Sequence, residues 1–403
     1  MLAVRLQFEP ARDKGTFAAT PAAPAVFLLR GSDGAAEPYV SKTANLRRRL
    51  VRLLGPAEER SRRLNLRERV ASIEYSPTGS DFESGFLLYR LLRQTFPKTY
   101  AARLRLRFAP LVRLHLENAY PRASITTRMG RREGKSRYYG PFPSRSAAEK
   151  FAHDSLDFFK MRRCVDDLNP DPAFPGCIYS EMKMCLAPCF KGCTDEEYRT
   201  EVSRVQAYFD SGGRSLLREL EVERDQASVN LEFEAAATSH ARVEKVAPVL
   251  GQLPEIVQRL DRLSALMVQR SAEPDSVALF RVSAGQISGP LHFAVQLAAE
   301  HAAKSRSMES RLEQRLGEFA PGQTCSTVET MEHLAILKRW YYRSSRAGEI
   351  FLADEKGQLP MRRIVRGIAR VFRGEKPEPA TIATSLSMRI SSERHDSGGN
   401  YET

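Results

Sequence analysis

The chain has 403 residues, 42% of them hydrophobic and 28% charged, with 62 Lys and Arg against 49 Asp and Glu for a formal net charge of +13. That balance excludes whole-chain disorder, and at roughly 100–200 residues per domain the length calls for several packed cores. No run approaches the ~18 apolar residues of a membrane helix, and Arg5 and Glu9 interrupt any secretory core, so a cytoplasmic protein without membrane attachment is expected.

Residues 1–24, rich in Ala and Pro, are expected to be flexible. A first domain is expected over 25–110. Its strands at 25–29 and 39–40 are separated by Gly31-Ser32-Asp33-Gly34, a hairpin signal, and Asn45 is placed to cap an Arg-rich helix that Gly55-Pro56 stops. Another helix is expected over 86–95. A basic mixed α/β region follows over 111–163, with a strand at 123–127 and a helix at 146–159, and then an irregular Cys-rich module at 164–193.

Helices should dominate 195–270. Leu217, Leu220, Ala227 and Leu231, then Ala236, His240, Val243 and Ala247, recur at helical spacing and predict two antiparallel helices reversing near 230–234. Strands at 277–282 and 290–295 around Ala284-Gly285 open a C-terminal α/β region over 271–373, and 374–403 reads as a disordered tail. The fold class is α+β.

Two features carry chemistry. Arginines crowd 45–70 (Arg47, Arg48, Arg49, Arg52, Arg60, Arg62, Arg63, Arg67, Arg69) and again 103–137 (among them Arg113, Arg122, Arg131, Arg132, Lys135 and Arg137). Guanidinium forks suit phosphate, so a nucleic acid is the expected partner, DNA or RNA. Cys164, Cys177, Cys185, Cys189 and Cys193 fall within thirty residues. Four thiolates gathered there can hold tetrahedral zinc or an iron–sulfur cluster, and the spacing does not choose between them. Isolated His153, His240 and His292 and the stretch Trp340-Tyr341-Tyr342 are read as ordinary surface or core residues.

Four short motifs, in order, resemble the UvrC family, the incision subunits of bacterial nucleotide excision repair. The stretch from Tyr39 to Leu50, YVSKTANLRRRL, looks like the second half of a GIY-YIG nuclease signature, with Ala25-Val26-Phe27 where the first half belongs. The run from Arg137 to Ser144, RYYGPFPS, Cys185-Leu186-Ala187-Pro188-Cys189, and the run from Asn230 to Ala236, NLEFEAA, are similar to further family motifs.

The resemblance implies a small mixed GIY-YIG-like sheet with helices, a [4Fe–4S] site on Cys164, Cys177, Cys185 and Cys189 (alternatively zinc), and a UVR hairpin over 214–248. Leu231, Glu232, Phe233 and Glu234 would meet UvrB, with UvrA upstream. It places Tyr39, Lys42 and Arg49 at the nuclease site, and the DNA contacts are expected at Arg47, Arg48, Lys135, Arg137 and Tyr138. Mg or Mn would be needed only by an active nuclease. Departures stand beside these expectations. Phe27 replaces a tyrosine, Ala25 and Ser41 replace glycines, and the metal-binding glutamate falls on Tyr89 or Leu88. Tyr100 or Ala101 stands for an asparagine, and no RNase H-like residue set follows Gly285. A degenerate nuclease serving as a DNA- and UvrB-binding protein is therefore expected, with a single-cut endonuclease or a general DNA/RNA-binding protein with structural zinc as alternatives.

Overall fold

The computed structural model describes residues 2–33, 36–56, 63–130, 134–165, 168–295, 307–319 and 326–376. One compact unit joins Met1–Arg107 to Ser264–Thr324 and Ala335–Pro377; the other is built mainly on Phe108–Leu263. The first unit thus gathers two regions expected to be separate, 25–110 and 271–373. The second gathers 111–163, 164–193 and most of 195–270.

In chain order the first unit begins β1 (Val4–Gln7), α1 (Asp13–Ala19), β2 (Ala25–Arg30), β3 (Tyr39–Thr43), α2 (Leu46–Leu54), β4 (Ser72–Pro77), α3 (Asp81–Thr95) and α4 (Tyr100–Leu104). Its sheet runs β1-β4-β2-β3, and every pairing is antiparallel, so the expected mixed sheet is antiparallel throughout. The expected flexible N-terminus is also corrected. Val4 and Leu6 pack on the core by period-two alternation, β1 pairs with β4 from Val4↔Tyr75 to Gln7↔Ser72, and Phe8 is buried. The Ala/Pro composition concealed a four-residue edge strand.

Alternation along β2 divides the unit. Ala25, Phe27 and Leu29 face one cluster with Leu46, Leu50, Leu53 and Leu54 of α2 and with Ile73 and Tyr75 of β4. Val26 and Leu28, equally buried, face the other side of the sheet. Helix α2 starts where expected because the Asn45 side chain accepts the Arg48 backbone N–H at 2.9 Å. Helix α3 starts five residues before the expected boundary because Ser80 accepts the Glu83 N–H at 3.1 Å.

The second unit holds β5 (Leu111–Leu114), β6 (Ala123–Thr126), β7 (Arg137–Gly140), α5 (Arg145–Leu156), α6 (Ile178–Glu181), α7 (Asp195–Asp210), α8 (Arg214–Val229), α9 (Phe233–Gly251) and β8 (Gln258–Arg259), its sheet ordered β6-β5-β7-β8. A Thr194–Glu197 capping box starts α7. From α7, the Tyr198 hydroxyl accepts the Arg162 backbone N–H at 3.1 Å and donates to the Pro121 carbonyl at 2.8 Å, while Glu201 accepts the Lys160 N–H at 2.5 Å. These bonds anchor the segment that enters the cysteine loop.

The chain then returns to the first unit as β9 (Ser264–Arg270), β10 (Ser276–Ser283), β11 (Gln286–Ala294), α10 (Met308–Leu316), the part of α11 (Thr327–Tyr341) from Ala335 onward, β12 (Glu349–Leu352) and α12 (Met361–Arg373). The order β11-β10-β9-β12 is antiparallel, and Ile364, Ile368 and Val371 of α12 pack on Leu266 and Val268. The hairpin at Ala284-Gly285 lies where expected; β9 and β12 were not anticipated. The expected tail lies outside the described residues from 377 onward.

Candidate functional site

The first unit carries the nuclease-like residues, and the sheet separates them. Arg49 of α2 donates to the Tyr39 hydroxyl at 2.8 Å, and the Tyr39 ring lies 6.0 Å from Phe27. Lys42, three residues along β3, has the opposite parity and leaves by the other face, where it bonds Asp81 of α3 at 2.5 Å. Asp81 also pairs with Arg343 at 2.5 Å. Burial pushes the Asp81 carboxyl up, but the bonds from Lys42 and Arg343 outweigh it and hold it below the usual carboxylate range. Two of the three expected residues therefore meet, and Lys42 pairs with an acid that sequence reasoning passed over.

At the position expected for the metal-binding glutamate, Tyr89 is 1% exposed. Its ring lies 6.1 Å from Phe86 and 6.4 Å from Tyr100, and its hydroxyl accepts from Arg93 at 3.2 Å. Phe86 and Phe82 in turn meet Phe280 of β10 edge-on, and Phe82 meets Trp340 at 5.6 Å. An aromatic stack fills the position where the resemblance led to a carboxylate being expected, and its rings cannot ligate a hard cation.

The nearby acid Glu83 is 5% exposed and accepts the Gly79 N–H at 2.7 Å. Burial, aided by the Glu273 charge and opposed by that bond, pushes its pKa from 4.5 to about 7. The folded protein thus binds this proton more tightly than the unfolded chain, so stability falls as pH rises from about 4.5 to 7. Glu83→Gln keeps an acceptor for Gly79 without the charge. It is expected to raise stability at pH 8 by an amount approaching ~3 kcal/mol, read as a higher thermal midpoint, and to change little at pH 4.5.

The expected DNA contacts divide by exposure. Arg48 and Lys135 are exposed. Arg47 is exposed but is held by the carbonyls of Thr20 at 2.8 Å and Ala18 at 3.2 Å. Arg137 is half-buried, with its Nε buried and without a hydrogen-bond partner. Tyr138 is corrected: at 8% exposure, with its hydroxyl accepting the Gly130 N–H at 2.8 Å, it anchors a loop and offers no face to a base. Arg60, Arg62, Arg131 and Arg132 lie outside the described residues.

In the second unit, Cys164, Cys177, Cys185 and Cys189 line one pocket with Arg162, Arg163, Leu168, Tyr179 and Pro188. Chain segments distant in sequence are folded onto it: Cys177 begins α6, while Ala187 and Lys191 in left-handed conformation bracket the turn through Cys189. All four thiols are half-buried and unpaired. The Ala187 N–H donates to Cys185 Sγ at 3.3 Å, and Arg162 Nη1 donates to Cys164 Sγ at 3.4 Å. Burial, together with the three neighbouring cysteines and against the Ala187 bond, pushes the Cys185 thiol up to about 11. As the side chains stand, no three His, Cys, Asp or Glu among the described residues are arranged to hold a metal ion. The donor set still fits a soft metal group: four sulfurs share one pocket with buried cationic donors. Cys193 is not among the pocket's lining residues, and Cys325 lies outside the described residues. Sequence reasoning missed Arg162 and Arg163, whose only signal was an Arg-Arg-Cys run.

Also in this unit, α8 and α9 form the expected hairpin. Leu216, Leu217 and Leu220 are buried at its base, whereas Val229, Leu231 and Phe233 at the tip are 81%, 71% and 67% exposed. The reversal is a Schellman turn: Glu232 N–H bonds the Ala227 carbonyl at 2.8 Å and Leu231 N–H the Ser228 carbonyl at 3.1 Å. Leu231 stands at φ 59°, the left-handed position that usually takes glycine.

With this geometry in view, residues 110–208 match the family described as UvrC/Cho excinuclease, middle domain, a span covering the β5–β7 sheet, the cysteine loop and most of α7. The molecule is an α+β protein whose residues 110–208 are similar to an excinuclease middle domain. The chain is 28% identical over 67% of its length to the UvrABC system protein C of Methanothermobacter thermautotrophicus, covering 45% of that protein. It is 29% identical over 49% of its length to that of Idiomarina loihiensis (32% covered) and 28% identical over 68% to that of Moorella thermoacetica (44% covered). The likeness to UvrABC system protein C is thus carried by the middle of the chain, and the matched stretch spans less than half the length of these relatives. No solved structure matches. No helix among the described residues is long and apolar enough to cross a membrane.

Proposed function

We propose that this protein acts in nucleotide excision repair by binding DNA and UvrB without cutting through its GIY-YIG-like site. The observation that carries the reading is the aromatic stack around Tyr89 in the place of a metal-binding carboxylate. A nuclease of this type needs a carboxylate to hold one divalent ion beside the attacked phosphate. Asp81 is no substitute, being engaged by two cations on the sheet face opposite Tyr39 and Arg49. Exposed arginines can still hold phosphate, and the apolar hairpin tip supports a protein partner.

The four-cysteine pocket supports a structural metal group. A single zinc, at about 2.3 Å from each sulfur, would need the sulfurs drawn together to ~3.8 Å. A [4Fe–4S] cluster accepts wider spacing and is the occupant that the resemblance to UvrC proteins implies, with zinc as the alternative.

The test is incision of a lesion-bearing duplex with UvrA, UvrB and Mg²⁺ or Mn²⁺. A retarded DNA complex that depends on UvrB, with no cleavage, is expected. Robust cutting that disappears in Arg49→Ala would overturn the reading in favour of a single-cut endonuclease.

A further inference from the structure

Arg163 is an anomaly of the second unit. Its side chain is 6% exposed, and its Nε, Nη1 and Nη2 are buried without a hydrogen-bond partner. Asp157 lies 2.8 Å from Nη2, close enough for an ion pair, but it is itself 44% exposed and leaves Nε and Nη1 unanswered. The Tyr179 ring, 5.9 Å from the guanidinium, adds only a weak attraction. Burying a guanidinium with unanswered donors is unfavourable, so the arrangement calls for an acceptor. Arg163 lines the pocket of the four cysteines, and so does Arg162, 2% exposed, which donates to Cys164 Sγ and, through Nε, to the Tyr120 carbonyl at 2.8 Å.

The charges match. Four thiolates around a doubly positive core, whether Zn²⁺ or an oxidised [4Fe–4S]²⁺, carry two net negative charges. Two buried guanidiniums offset them in part, because Asp157 already shares the charge of Arg163, and the unanswered Nε and Nη1 of Arg163 find sulfur acceptors. We propose that Arg162 and Arg163 are the built-in counter-ions of the four-cysteine site, positioning residues that donate to the ligand sulfurs and offset the negative charge of the loaded site in a buried pocket. The inference rests on the four-thiolate reading above and assigns these two residues a role within it. Hydrogen bonds to cluster sulfurs and nearby positive charge stabilise the more reduced, more negative state.

The test uses the full chain reconstituted anaerobically with iron and sulfide, and separately with zinc, comparing Arg163→Gln and Arg163→Lys with the parent. Arg163 is chosen because Arg162 also holds the Tyr120 carbonyl. In Arg163→Gln the cluster's midpoint potential should fall, and iron should leave in air, or zinc to a chelator, at least several-fold faster. Arg163→Lys should recover most of both. Parent-like potential and metal loss in Arg163→Gln would overturn the counter-ion role while leaving the four-thiolate site standing. So would equal destabilisation of both metal-free variants with no change in either metal readout. A parent that retains neither iron nor zinc would overturn both readings.

Discussion

Cys185→Ser is expected to strip the four-cysteine site of its metal, the largest single effect any substitution here should have. Cys185 shares its pocket with Cys164, Cys177 and Cys189, all close enough to raise its pKa beyond what burial does. Removing one of four thiolates leaves three ligands and a hydroxyl, which binds a soft metal poorly. The parent, purified anaerobically, should be brown with thiolate-to-iron absorption in the visible, and the variant colourless with little bound iron. A colourless parent with stoichiometric zinc would reassign the metal and keep the ligands; a metal-free parent would remove both. Because the loop through 164–193 has little regular structure of its own, metal loss should also lower the melting temperature of the second unit.

The second large effect is expected at the hairpin tip. Phe233→Ala should weaken binding to UvrB by ~2 kcal/mol or more, about 30-fold in Kd, with the melting temperature unchanged, because a 67%-exposed ring contributes little to the fold. Leu231→Gly separates folding from binding more sharply. A non-glycine residue in left-handed conformation costs roughly 1–2 kcal/mol, so glycine there should leave the hairpin as stable or slightly more stable. It also deletes an exposed leucine side chain, so binding should fall. Isothermal titration with UvrB and thermal melts of the same samples check both halves. A variant that melts early yet binds UvrB like the parent would make the tip an internal packing element.

Legibility varied with the range of the interaction that fixes each feature. The β2–β3 hairpin strands, the Asn45 cap of α2, the α8–α9 reversal and the β10–β11 turn could all be read locally, because each depends on residues within a few positions. The N-terminal strand could not: Val4 and Leu6 become a strand only because β4, some seventy residues later, offers an unpaired edge. Strand β9 likewise acquires its identity from partners on both sides.

Residue type and short spacing were enough for the α+β class, the resemblance to UvrC proteins, the four cysteines and the residues of the hairpin tip. How those residues are used depends on long-range packing. Strand parity sends Lys42 away from Tyr39 and Arg49 and onto Asp81. Packing of α3 against β10 and Trp340 turns the Tyr89 position into aromatic core. Burial converts Tyr138 from a candidate base contact into a loop anchor, and leaves Arg163 facing the cysteines with donors unsatisfied. Each of these outcomes depends on desolvation and on which face a side chain takes, and both are set by neighbours distant in the chain.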